Sequence, residues 1–287
     1  MASRRALASA IFIALVPSSF AWGQSVLLQI RPRVGDTLSV RMDQRVEMTG
    51  VPTGCVTGYS GPRRGTNSDA RPRPCSEATR HMTSVMEVFS RAIILRTSGE
   101  SALVLAVTDS IRTSLSSGNA KAAKPTRVRA NSGSIELKVA PDGGAEVVDT
   151  DASEELRAVF GQMPATLSRK PVAVGDKWVR QMRIPISAEA GATGLVRATF
   201  RLDSLGRNGD VAYISMTGTL SRDHQDGSGP ELDGWLSGTM QLDRRLAWIT
   251  DTRAIIDVES TVRPTTGGQP MRVRTKITQV LRARPAR

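Results

Sequence analysis

The sequence predicts a mainly β fold, a curved antiparallel sheet or half-barrel of about eleven strands built from two similar halves with one linking helix. Three observations carry this. Apolar or small residues alternate with charged ones, as in Met271-Arg272-Val273-Arg274-Thr275-Lys276-Ile277, which gives a strand one dry and one wet face. Turn residues punctuate such runs at Ser98-Gly99, Pro141-Asp142-Gly143-Gly144 and Asn208-Gly209, the last being the strongest hairpin signal. A Val-Gly-Asp tripeptide, at Val34 and again at Val174, opens two stretches of similar pattern.

Residues 1–23 have the order of a secretory signal peptide: Arg4 and Arg5, an apolar run from Ala6 to Val16, Pro17, then Ala21-Trp22-Gly23 with small residues at the recognition positions. The apolar run is shorter than the roughly 18–20 residues that cross a bilayer, which argues against an anchor. No other segment is long and apolar enough to span as a helix, so the chain reads as periplasmic or secreted, starting near Gln24 and not membrane-spanning after cleavage. Export places Cys55 and Cys75 in an oxidising compartment, where a disulfide is expected; it would close a Gly-, Pro-, Ser- and Arg-rich loop, 55–75, and be worth on the order of 3 kcal/mol. The alternative, a metal or redox pair, has neither zinc nor Cys-x-x-Cys spacing.

Strand-like runs fall near 37–48, 82–95, 102–115, 134–140, 145–150, 177–187, 195–202, 210–221, 236–243, 247–262 and 270–283. The domain plan is a first β half over 24–150, a linking helix and connector over 151–169, and a second β half over 170–287. The helix is read from Asp151 as N-cap, Glu154 in a capping-box relation, and Leu156, Val159 and Phe160 on one apolar face; Asp149 and Asp151 as a metal or acid–base pair is the competing reading. In the repeat, the hairpin Val85–Thr113 answers Leu195–Ser221, and Ser134-Ile135-Glu136-Leu137 answers Gly238-Thr239-Met240-Gln241-Leu242. The stretches 34–150 and 174–262 then read as two copies of one unit, with 270–283 an added last strand.

The run Lys170-Pro171-Val172-Ala173-Val174-Gly175-Asp176-Lys177-Trp178 resembles a Pro-x-x-x-Gly-Asp-x-Trp motif that opens the second half of uncharacterised exported bacterial β proteins. The overall plan is similar to the periplasmic lipoprotein-carrier class, in which a curved antiparallel sheet wraps a helix and a hydrophobic cavity. The resemblance implies an apolar-ligand site and transfers no named binding residue. From the residues themselves, Gly175 permits a tight turn, Asp176 bonds nearby backbone, and Trp178 points into core or cavity.

The formal charge of +12 suggests anionic partners, but only six of the 39 basic residues are lysines and the arginines are scattered, as compositional bias produces. With 4% aromatic residues there is little to stack nucleic-acid bases on, and nucleic-acid binding is not expected. There are two histidines, His81 and His224, and no Gly-x-Ser-x-Gly, phosphate loop or dinucleotide fingerprint, so the chain reads as a non-enzyme with no cofactor and no metal. The acidic loop from Asp223 to Asp233 lacks EF-hand spacing and reads as a solvated hairpin loop. Too few aromatic residues are present for the girdles of an outer-membrane barrel.

The expected function is an exported binding protein holding a lipid or other apolar small molecule in a curved sheet. Met82, Met86, Trp178, Met182, Phe200, Met216, Met240 and Met271 are the residues expected to line its cavity, with plain core packing as the alternative. The second expectation is an interaction module that binds an anionic envelope surface through arginines on the wet faces, and a hydrolase with an unrecognised site is the third.

Overall fold

A strand that alternates dry and wet residues needs cover for its dry face, and here the sheet and two inserted segments supply it over part of that face. The computed structural model describes residues 25–53, 79–118, 126–128, 133–148, 165–185, 193–222, 232–262 and 270–286. Twelve strands form among them: β1 (Thr37–Pro52), β2 (Arg80–Ser98), β3 (Ser101–Ser117), β4 (Thr126–Val128), β5 (Ser134–Val139), β6 (Ala145–Val147), β7 (Lys177–Pro185), β8 (Thr193–Gly206), β9 (Val211–Arg222), β10 (Leu232–Asp243), β11 (Trp248–Val262) and β12 (Met271–Pro285). All pairings are antiparallel and lie in one sheet, ordered β6-β5-β3-β2-β1-β12-β11-β10-β9-β8-β7, with the short β4 pairing β3. This is an up-and-down meander whose last strand returns beside its first; among the described strands its edges are β7 on one side and, on the other, β6 and the short β4. Eleven of the twelve strands coincide with the eleven runs expected from the sequence; β4, three residues long, carries no readable period.

The two halves repeat down to individual hydrogen bonds. Before β1, Gly35 N–H donates to Ile94 O (2.9 Å), Ile94 N–H to Asp36 O (3.0 Å), Asp36 N–H to Arg33 O (3.1 Å), and Arg33 N–H to the Asp36 carboxylate (3.2 Å). Before β7, Gly175 donates to Leu202 (2.7 Å), Leu202 to Asp176 (3.1 Å), Asp176 to Ala173 (3.0 Å), and Ala173 N–H to the Asp176 carboxylate (2.8 Å). Gly35 and Gly175 have φ of 86° and 95°, a conformation open to glycine without strain. The extra residue in each following strand matches too: the β2–β3 register slips between Ile94 and Arg96, the β8–β9 register between Leu202 and Ser204. The added strand β12 is not peripheral; it joins the halves, pairing β1 along Leu38–Pro52 and β11 along Asp251–Val262.

The core fills one end of the sheet and runs on along the second wing through Val196, Met216, Leu220 and Leu232. Leu38, Ile94, Val104, Leu137, Phe200, Leu202, Ile214 and Leu242, from both wings, meet in one buried cluster. Two extended segments plug it. Ser25–Arg33 inserts Leu28 and Ile30 and hydrogen-bonds Val172, Pro141 and Ala247, while 165–172 adds Leu167 and Val172. Residues 165–169 are irregular rather than helical. The expected helix from Asp151, the stretch 1–23 expected to be a secretory signal, and Cys55 and Cys75 lie outside the described residues. So does the acidic loop from Asp223, except that its last residues, Leu232 and Asp233, open β10.

Candidate functional site

Antiparallel register fixes which side chains share a face, and the buried residues identify the inner one. On β1 the inner positions are Leu38, Val40, Met42, Gln44, Val46, Met48 and Gly50; on β12 they are Ala283, Leu281, Gln279, Ile277, Thr275, Val273 and Met271. On β2 they are Ile94, Ala92, Ser90, Val88, Met86, Ser84 and Met82. Inward of Val40 and Ala92 these rows enter the core. Toward the other end, from Met42 and Val88 outward, these residues are only half-buried, Gly50 excepted, and none belongs to the buried cluster. The row continues onto β3 through the half-buried Ile111 to the exposed Thr113 and Leu115, and onto β11 through the half-buried Ile256 and Val258, the latter packed against the core. The result is a trough whose floor, Gln44 and Gln279 apart, is apolar or hydroxylic, with Met42, Met48, Met82, Met86 and Met271 supplied by β1, β2 and β12.

The opposite face of the same strands is mostly charged or hydroxylic, with Val85, Phe89, Ile93 and Val280 set among the charges. Arg41, Asp43, Arg45 and Glu47 occupy consecutive outer positions of β1. Arg41 bonds Asp43 (2.8 Å) and Glu87 (3.1 Å), Arg45 bonds Glu47 (2.7 Å), and Arg91 bonds Asp109 (2.8 Å). Arg41 and Arg112 both lie over the Phe89 ring, 5.3 and 5.2 Å from its centroid. Asp257, though buried, is gripped by the Arg274 fork at 2.9 and 2.7 Å; that bond outweighs burial and holds its carboxyl below the ordinary range. Such a face belongs in water: at a bilayer midplane each Arg or Lys would cost about 2–4 kcal/mol.

The second wing and the middle strands differ in how closely their neighbours approach. On β9 and β10, Gly218, Gly234 and Gly238 sit on the inner face where strands approach closely. A Cβ at Gly238 would lie 2.2 Å from the Arg253 carbonyl oxygen and 2.4 Å from Met216 Cε. That close approach lets Met216 pack down over Gly238 and closes the wing. In the middle strands the single comparable site among the described residues is Gly50, where a Cβ meets only the flexible end of Met271, at 2.8 Å.

A latch spans the seam between β6 and β7 at the closed end. The Asp142 carbonyl, in the β5–β6 turn, accepts from Thr166 and Leu167 N–H (both 2.9 Å), and its carboxylate bonds Arg169 (2.8 Å). From β7, Trp178 Nε1 donates to Thr166 O (2.8 Å), and the Arg180 guanidinium reaches Leu167 O and Asp142. Burial pushes the Asp142 carboxyl up, but the Arg169 and Gly144 hydrogen bonds and the Arg169 and Arg180 charges outweigh it, and it lies below the usual carboxylate range. Arg180 Nε is buried with no partner among the described residues.

The eight residues expected to line a cavity divide along this geometry. Phe200, Met216 and Met240 are buried in the core; Trp178, stacked on Phe200 at 5.8 Å, and Met182 pack against it. Met82 and Met86 line the trough, and Met271 lies at its rim over Gly50. Sequence reasoning missed Met42, Gln44, Met48 and Gln279. The signal was present, since all four lie in step with the apolar positions of alternating strands. His81 is exposed on the outer face, 3.2 Å from Thr49 Oγ1, and His224 lies outside the described residues.

No family model and no curated protein matches the chain. Among solved structures it is similar to lipovitellin, in a structure concerned with lipid–protein interactions, with a TM-score of 0.51 and 8% identity over 90% of this chain. The match spans 26% of the lipovitellin chain, so this protein corresponds to about a quarter of it. An outer membrane channel from Pseudomonas putida F1 scores 0.26 at 9% identity, covering 88% of this chain and 97% of that one. OccK5 of Pseudomonas aeruginosa scores 0.23 at 9% identity, covering 90% and 100%.

Proposed function

We propose that this chain is an exported, non-catalytic binding protein that shelters the apolar part of a lipid in the trough. One observation carries the reading: the inner face of β1, β2 and β12 is apolar and half-buried, while the outer face of the same strands is built for water. A soluble protein seldom leaves so long an apolar surface without an occupant, and methionine, flexible and polarizable, suits a surface that must receive chains of varied shape. The lipid–protein interactions of lipovitellin agree with this reading, through fold alone. The secretory character of residues 1–23 and the expected Cys55–Cys75 bridge fit a periplasmic or secreted setting.

The test is to purify the protein from its own host and examine it by native mass spectrometry with solvent extraction. The expected result is co-purifying lipid, lost on extraction, and displacement of a fluorescent apolar probe when lipid is restored. A protein that carries no lipid and binds no apolar probe would overturn the proposal.

A further inference from the structure

Two amide side chains interrupt the apolar floor. Gln44 and Gln279 are Cα partners across β1 and β12, the two strands at the middle of the sheet. Partners in such a pair have Cβ atoms about 4.5–5.5 Å apart, close enough for one ligand group to touch both. They are the amide side chains on the inner face of the described strands; its other polar positions in the trough, such as Ser84, Thr113 and Thr275, carry hydroxyls. Gln279 Nε2 donates to Met42 Sδ at 3.0 Å. A thioether is a weak acceptor, so a carbonyl oxygen arriving at that amide exchanges a weak hydrogen bond for a stronger one. Beside Gln279 on β11 stands Ala254, whose short side chain leaves room at the pair.

The charge pattern narrows the ligand further. Inward of the rim, Arg180 is the charged residue on the described inner face, and it is committed to Leu167 and Asp142 in the latch. Arg80, exposed on β2, and Arg222, at the end of β9, stand at the rim itself. An anion buried at the Gln pair would have no countercharge, which is costly. A neutral ester or amide fits, because a glutamine both donates and accepts. From Gln44 to Pro52 the strand runs about 27 Å toward the rim, longer than the roughly 15 Å that a single acyl chain contributes to half a bilayer.

We propose that the trough takes a neutral, ester- or amide-linked long-chain acyl group, with Gln44 and Gln279 as the specificity-determining contacts to its carbonyl. This rests on the binding function proposed above. The test compares hexadecane, methyl palmitate and palmitate at mildly alkaline pH as displacers of a fluorescent apolar probe. It uses the wild-type chain and a Gln44→Leu/Gln279→Leu variant, with Gln44→Met/Gln279→Met as a second, near-isosteric pair and circular dichroism to check folding. Methyl palmitate is expected to bind about tenfold tighter than palmitate, and to lose about tenfold in either double variant while hexadecane is unchanged, as the loss of one or two hydrogen bonds requires. Equal binding of ester and acid, or variants that bind the ester like wild type, would overturn this inference and leave the trough standing. Palmitate binding tighter than the ester, and weakened by Arg80→Ala, would also overturn it, by moving the polar contact to the rim. Failure of all three compounds to displace the probe would overturn the trough reading itself.

Discussion

The wing made of β8, β9 and β10 and the middle strands β1, β2 and β12 have the same alternation and the same antiparallel pairing, yet one is a packed core and the other an open trough. The difference lies in small residues. In the wing, Ala198, Gly218 and Gly238 let neighbouring backbones and Met216 close in, so that Phe200, Ile214 and Leu242 are almost wholly buried. In the middle strands the corresponding rows hold Met42, Val46, Met48, Ile277 and Met86, side chains too bulky to let the sheet coil as tightly, and they keep the trough open. One period of hydrophobicity thus serves two purposes, and residue size within the period decides which.

Three sets of substitutions sharpen or break that contrast. The largest effect is expected from truncation inside each region: Phe200→Ala should destabilise by about 3–5 kcal/mol in chemical denaturation, Met86→Ala by about 1 kcal/mol or less. Comparable losses at the two sites would mean that the trough is core. Next, Gly238→Ala should destabilise by about 1–3 kcal/mol through overpacking against the Arg253 carbonyl. Gly50→Ala should do much less, because the Met271 thioether can swing aside; the measured order of the two midpoints checks this. The smallest effect concerns the latch. The carboxyl of Asp142 titrates lower folded than unfolded, so it contributes stability above the unfolded value of about 3.9, and loses it as the pH falls through the depressed value. Asp142→Asn, which keeps one acceptor oxygen, should lower stability at neutral pH by about 1 kcal/mol and flatten the fall in acid. An unchanged acid limb in equilibrium denaturation would remove Asp142 from the latch.

Much of the fold was legible, because a strand's period and its turns are local. The two Val-Gly-Asp tripeptides mark the equivalent turns at Gly35 and Gly175, and the alternation that carries Trp178 sets it on the inner face of β7. The position of β12 was not legible: its partners are chosen by closure of the whole meander, and its own residues alternate like any other strand's. The division of methionines between core and trough was hidden for a related reason. Met216 and Met86 look alike in sequence; only the glycine opposite Met216, on a different strand, distinguishes them. The plug is hidden too, since Leu28 and Ile30 belong to an extended segment with no ladder of its own and are buried by what they insert into.

The placement of β12 also bears on synthesis. Each half is a run of hairpins between near neighbours, which can assemble as the chain emerges. Strand β1, however, has no second neighbour until β12 arrives, and neither has β11. Until then two long strands present unsatisfied edges, with the methionine floor of β1 and β2 beside them, and such edges pair with other chains. The final strand therefore acts as a clasp on the assembled sheet. Its absence in truncated chains should be read out as aggregation, before any loss of hairpin structure.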